Sequence, residues 1–337
     1  MTAAPLGVTY ASLPSLGVMG APEVARRAES LGYSSFWVAE TTGTEAFSHL
    51  ALVGEAAPSL SLGTGVIALQ LRTPMLTAMS AATLQAAHPE SDIYLGVGIS
   101  SPVVTQRWHG APYTDRPLAQ VREFVTVLRE CLSGESVSHK GDFYELSRSR
   151  LGVRMGDKRP QIVLGALNEG MLRLAGELCD GVLLNYLPAS LVPWCIERVR
   201  EGEARGGRPP GTCTIHAYVH LGVVAREEGL TYAKRDLFSY AVVDAYAKAF
   251  TQAGYGDSVV AVREAHAAGD RDAAVEAISD EMVDGIDIMG DADGVATAMR
   301  AYVQAGVASP VLMPLPWGSD RMAVVQATLE AAKQGVV

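Results

Sequence analysis

The sequence predicts an α/β protein of the (β/α)8, or TIM-barrel, class. Two observations carry that expectation. Eight short, almost continuously apolar runs alternate with helical stretches, as parallel strands do when helices cover them. The chain has 337 residues and is 48% hydrophobic and 19% charged, a globular composition at a length that α/β barrels fill as one domain. Residues 1–337 are therefore read as a single domain, with a helical insertion after strand seven at 226–283.

The elements follow in order. Leu6–Leu13 is the first strand, and Pro22 opens a helix that Gly32 ends. Ser34–Ala39 is strand two, with Glu40 just past its end, and Phe47–Ala57 is a helix. Strand three, Ser61–Ile67, carries two glycines, which in a strand mark a bulge or the close approach of another group. The alternative is a core strand whose glycines only relieve crowding. Met75–Ala87 is a helix and Ile93–Gly98 strand four, followed by a long loop, Ile99–Arg116, with Trp108, His109 and Gly110. Pro117–Leu132 is amphipathic, with Val121, Phe124, Val125, Leu128 and Leu132 at helical spacing. Val137–Leu146 reads as a hairpin turning near Lys140–Gly141, with Phe143 and Tyr144 suited to a strand. Gln161–Gly165 is strand five, and Asn168 is placed to cap the next helix. Gly181–Asn185 is strand six, Val192–Gly202 a helix and Cys213–Val224 strand seven. Arg226–Val283 breaks the rhythm with about sixty residues of mostly helical pattern, a span typical of an inserted segment rather than a loop. Asp291–Gln304 is a helix, Pro310–Leu315 strand eight and Asp320–Gln334 the last helix.

Composition narrows the function. A net charge of −10 argues against a nucleic-acid or anionic-membrane partner, both of which demand a basic face. It leaves room for an anionic cofactor held by backbone amides at a helix start. Cys131, Cys179, Cys195 and Cys213 lie far apart and form no metal-type pair, as reduced cytoplasmic thiols do. There is no membrane-length apolar run and no signal-peptide pattern, so a cytoplasmic location is expected. No H-E-x-x-H, G-x-S-x-G, Walker lysine motif or full G-x-G-x-x-G is present, and no metal site is expected.

In a barrel, chemistry sits on the loops at the C-terminal ends of the strands. The candidates there are Glu40–Thr42, Gly65–Arg72, Gly98–His109, Gly165–Asn168, Asn185–Tyr186 and Pro316–Trp317. Gly165–Ala166–Leu167–Asn168 joins a strand to a helix start and suits either a phosphate or an ordinary tight turn. Glu40 fits a general acid, an acceptor for a ring N–H, or the partner of a structural arginine. His109 fits a proton donor near neutral pH or a structural hydrogen bond.

Six segments occur together in order: Phe36–Glu40 (FWVAE), Leu62–Pro74 (LGTGVIALQLRTP), Leu95–Pro102 (LGVGISSP), Trp108–Gly110 (WHG), Asp180–Leu187 (DGVLLNYL) and Val311–Gly318 (VLMPLPWG). Over nearly the whole chain the set resembles the bacterial luciferase-like family, in its branch that uses the deazaflavin coenzyme F420. The resemblance implies a (β/α)8 barrel with an insertion after strand seven, and commonly a homodimer. It implies a non-prolyl cis peptide at Gly65–Val66 backing the cofactor ring, and the segment Gly98–Ser101, with Ser100 and Ser101, flanking it. It implies a phosphate loop at Gly165, Ala166 and Leu167, and Glu40 near the ring. Sugar-phosphate dehydrogenases of this branch have catalytic histidine and glutamate where this chain has Thr41 and Ser101, so that activity is not expected. Where relatives carry Gly-Arg before strand four, this chain has Ser91–Asp92. The expected activity is hydride transfer between F420 and a small organic substrate, in the reducing direction, with His109 or Glu40 supplying the proton. FMN with oxygen, as in a monooxygenase, is the alternative cofactor; a non-catalytic cofactor-binding protein is the reading from another class.

Overall fold

The apolar runs close into a ring. In a computed structural model, which describes residues 4–336, the strands are β1 (Gly7–Thr9), β2 (Ser35–Val38), β3 (Ser61–Thr64), β4 (Ile67–Ala68), β5 (Ile93–Gly98), β6 (Ser136–Lys140), β7 (Glu145–Arg150), β8 (Gln161–Gly165), β9 (Gly181–Leu184), β10 (Thr214–Val223), β11 (Asp287–Gly290) and β12 (Ser309–Pro314). β1, β2, β3, β5, β8, β9, β10 and β12 pair in parallel in that order, and β12 returns to β1 with Gly7 opposite Val311. This is a closed eight-stranded (β/α)8 barrel.

Helices α1 (Gly20–Ser30), α2 (Ala46–Ala56), α3 (Pro74–Ala87), α4 (Pro117–Leu132), α5 (Glu169–Leu178) and α6 (Val192–Arg205) cover its outside. α7 (Arg226–Ala241), α8 (Asp244–Phe250), α9 (Gly256–Ala267), α10 (Arg271–Glu276) and α11 (Asp280–Ile286) follow β10; α12 (Ala292–Gln304) and α13 (Arg321–Gln334) flank β12. Local chemistry sets several starts. Pro74 stands in the first turn of α3, whose Leu76 N–H is capped by the Thr73 hydroxyl at 3.2 Å. Glu45, Asp291 and Asp320 cap α2, α12 and α13 in the same way. α4 buries Val121, Phe124, Val125 and Leu128, the stripe its spacing predicts.

The third strand is interrupted: β3 stops at Thr64 and β4 resumes at Ile67, with the cis Gly65–Val66 bond that the resemblance implies between them. Three features differ from the sequence expectation. Phe143 and Tyr144 lie in the turn of the hairpin, not in a strand. The Glu123 carboxylate holds that turn, accepting the N–H groups of Asp142, Phe143 and Tyr144. Burial pushes the Glu123 carboxyl up, but these amides and His139 bring it below its usual range. Asn168 occupies the N-cap position of α5 without capping it. The helices after β10 run on to Ile286 and lead into a short strand, β11, that pairs in parallel with the end of β10.

The barrel interior is layered along β10, whose alternate residues His216, Tyr218 and His220 are all buried. His216 packs with the stacked rings of Trp37 and Tyr94, whose centroids are 5.1 Å apart. Burial holds His216 neutral, with its pKa lowered to about 4. Tyr218 is next and His220 nearest the C-terminal ends of the strands.

Candidate active site

At the C-terminal ends of β3, β5 and β8 stand Gly65, Gly98 and Gly165. Each is small because something is pressed against it. A Cβ on Gly65 would come within 1.8 Å of the Tyr218 hydroxyl oxygen, and one on Gly96 within 1.8 Å of the Thr64 carbonyl. A Cβ on Gly98 would sit 2.9 Å, and one on Gly165 3.2 Å, from the methyls of Val66. Val66 therefore projects between two glycine strand ends and forms a half-buried apolar shelf at the barrel mouth.

Hydrogen bonds pin the backbone on which the shelf rests. The Gly65 N–H donates to the Val38 carbonyl at 2.8 Å, and the Glu40 N–H to the Val66 carbonyl at 3.4 Å. The Tyr218 hydroxyl crosses the barrel to donate to the Gly65 carbonyl at 2.8 Å and accepts from Thr9 Oγ1 at 3.1 Å. Burial pushes the Tyr218 hydroxyl well above its ordinary range, so it remains a donor at every physiological pH.

The walls are polar. Arg72 reaches Glu40 with two nitrogens, at 2.9 and 3.3 Å, and also binds Glu45, while its guanidinium lies 5.1 Å from the Phe47 ring centroid. Both Glu40 oxygens thus accept from one guanidinium, which fixes the orientation of the carboxylate. Gln70 holds the backbone of Ser100, accepting its N–H at 3.3 Å and donating to its carbonyl at 3.4 Å. Ser101 starts the π-helical turn 103–108: its hydroxyl accepts the Val104 N–H and its carbonyl accepts from Thr105. His109 is exposed on the rim, with Nε2 2.6 Å from the Thr41 carbonyl. A carbonyl can only accept, so Nε2 carries a proton and Nδ1 is left facing away from that bond.

Across the mouth, the Ala166 N–H is taken by the Leu183 carbonyl at 3.2 Å, so it is not available to a phosphate. The Asn168 side chain donates instead to the Ala245 carbonyl at 3.1 Å, tying the start of α8 to this loop. α5 therefore begins with no side-chain cap, leaving the N–H groups of its first turn directed at the loop.

The upper wall adjoining the helices after β10 holds residues that sequence reasoning did not single out as chemistry. His220 Nδ1 is 2.8 Å from Asp287 Oδ1, and the Tyr186 hydroxyl donates to Asp236 at 2.8 Å. Burial lowers His220 to about 4, raises Asp236 to about 7 with help from Asp287, and raises Asp287 well above the carboxyl range. The sequence signals for this wall are the strand-end pair Asn185–Tyr186 and the alternation His216, Tyr218, His220 in a mostly apolar strand.

The sequence profile of the luciferase-like monooxygenases matches residues 10–309. A Mycobacterium tuberculosis protein bearing the name of a coenzyme F420-dependent oxidoreductase is 31% identical, over 86% of this chain and 89% of its own. The 5,10-methylenetetrahydromethanopterin reductase of Archaeoglobus fulgidus is 27% identical, over 89% of this chain and 90% of its own. The solved F420-dependent tetrahydromethanopterin reductase of Methanopyrus kandleri superposes with a TM-score of 0.82 at 21% identity, covering 99% of each chain. The chain belongs to the luciferase-like family. It is an enzyme.

In this luciferase-like chain the fold brings Gly65, Val66, Gly98 and Gly165 into one shelf, with Ser100 and Ser101 on the loop beyond Gly98 and Leu167 beside α5. Glu40 joins that group through its backbone bond to Val66. His109 stands apart from the shelf, on the rim beside Thr41. Sequence reasoning missed Tyr218, which holds Gly65; Gln70 and Arg72 lay in the candidate stretch Gly65–Arg72 without a role assigned to either.

Tyr218→Phe tests the support. It removes the side-chain donor to a buried carbonyl, at a cost of about 1–3 kcal/mol. Calorimetry should show a lowered Tm; an unchanged Tm would mean that the Gly65 carbonyl needs no such donor.

Proposed function

We propose that this enzyme transfers a hydride between coenzyme F420 and a small organic substrate, acting as a reductase. The observation that carries the proposal is the Val66 shelf at the barrel mouth, for which Gly98 and Gly165 make room. The names of the relatives support F420 over FMN. An apolar side chain projecting over glycine strand ends suits a ring system laid against it. Bound there, the deazaflavin supplies a ring carbon that gives or takes a hydride and reacts poorly with oxygen.

The chain's own part is to hold and to exclude. Val66 backs the ring, and the segment Gly98–Ser101 flanks it. The first-turn amides of α5 with Leu167 take the phosphate, where the helix dipole favours an anion. Glu40, locked by Arg72, presents a fixed carboxylate edge as an acceptor. His109 delivers the proton that accompanies hydride addition: when the ring is protonated, Nδ1–H is free to donate while Nε2–H stays on Thr41. The outer faces of α2 and α3 supply a homodimer interface. α3 has no charged residue, and Leu52, Leu76 and Met79 are each 44–47% exposed there.

Three outcomes are expected. In fluorescence titrations the purified protein binds F420, and anaerobic turnover of a reducible substrate proceeds with reduced F420; tight FMN binding with oxygen-dependent turnover would replace this reading with the monooxygenase. His109→Asn lowers kcat by about 10²-fold or more with cofactor affinity kept, and equal turnover would leave His109 a rim residue. Sedimentation velocity gives a dimer of 35.6 kDa chains that Leu52→Glu with Met79→Glu dissociates; a monomeric wild type contradicts the interface.

A further inference from the structure

The wall beside β10 carries a second set of groups whose arrangement asks for a cation. Asn185 Oδ1 accepts the Tyr186 N–H at 2.9 Å, so the atom there is the oxygen and not the amide nitrogen. His220 Nε2 lies 2.8 Å from that same oxygen and must therefore be the protonated nitrogen. In the neutral ring this leaves the Nδ1 lone pair aimed at Asp287 Oδ1, 2.8 Å away. Two lone pairs at that distance need a proton or a metal ion between them.

The pairing of β11 with β10 enforces this contact, because His220 and Asp287 are register partners and their side chains leave the same face. Asp287 is 0% exposed, and its other oxygen, Oδ2, has no hydrogen-bond partner among the described residues. A buried carboxylate oxygen left in that state is costly. A donor atom from Asp236 completes the set: one ligand atom each from His220, Asp236 and Asp287 lie within 4.8 Å of one another. Tyr186, in the left-handed region at φ 51°, holds Asp236 from the far side through its hydroxyl.

We propose that His220 Nδ1, Asp236 and Asp287 bind one divalent transition-metal ion. One imidazole and two carboxylates suit zinc or a neighbouring first-row ion. Tetrahedral bonds of about 2.0–2.2 Å place ligand atoms roughly 3.3–3.6 Å apart, so the widest pair closes by about 1 Å when the ion binds. Asn185 then serves as the outer partner that fixes the tautomer of a metal-bound histidine. The ligands come from β10, α7 and β11, so the ion joins the helices after β10 to the barrel. No two of them are closer than 16 residues in sequence, which is why no metal-ligand spacing is visible there. Binding displaces protons held by the cluster and involves no redox step. The site does not depend on which cofactor the shelf takes.

The test uses the full chain, stripped with a chelator and titrated with Zn²⁺ by calorimetry and with Co²⁺ by visible absorption. One ion per chain, ligand-field bands from Co²⁺ and a Tm raised by the metal are expected. Asp236→Asn and Asp287→Asn lower affinity by about 100-fold or more, since even outer partners of a metal site are worth 10–100-fold. Asp244→Asn, a change at an exposed acid on α8, leaves binding intact. If Asp287→Asn fails to fold, Asp236→Asn decides. Absence of binding to the wild type, or binding that survives both substitutions, overturns the proposal.

Discussion

The Tyr218 hydroxyl donates to the Gly65 carbonyl across the barrel, and the shape of the mouth depends on that bond. Gly65 ends β3, and the chain turns there so that Val66 projects over the neighbouring strand ends. The turn is held on three sides, by Val38, by Glu40 and by Tyr218. The glycines follow from it. Gly65 leaves room for the tyrosine, and Gly98 and Gly165 leave room for Val66. A side chain at any of the three would meet an atom already pinned by a hydrogen bond or by close packing.

The two sides of the mouth use charge differently. On the β2 side two carboxylates share one arginine: Arg72 holds Glu40 and Glu45 and lies over Phe47, which fixes the loop beyond the shelf. On the β10 side His220 and Asp287 are buried and Asp236 half-buried, with no arginine or lysine bonded to them among the described residues, beside Tyr186, Tyr240 and Tyr246. The first arrangement gives a rigid edge. The second keeps ionisable groups in a place where burial opposes their charge.

Much of the barrel was legible in the sequence, because eight doubly covered strands must be apolar along their length. The glycine strand ends and the interruption at Gly65–Val66 were legible too, since backbone crowding leaves glycine as a trace. Their supports were not. Tyr218 in a buried strand reads as core, and nothing local shows that its hydroxyl ends on a carbonyl 153 residues away. Asn168 sat where a cap belongs, but a tertiary bond to Ala245 took its amide. Phe143 and Tyr144 have strand propensity, and Glu123 overrides it by binding three successive turn amides. β11 is four residues at the end of a helical stretch, too short for a period of two to show.

The most direct measurement of the central claim is a crystal structure of the protein with F420 bound. The deazaflavin ring should lie against Val66, between the ends of β3, β5 and β8, with its phosphate at the first turn of α5. A ring seated elsewhere in the barrel mouth, with the Val66 shelf bare, would contradict it.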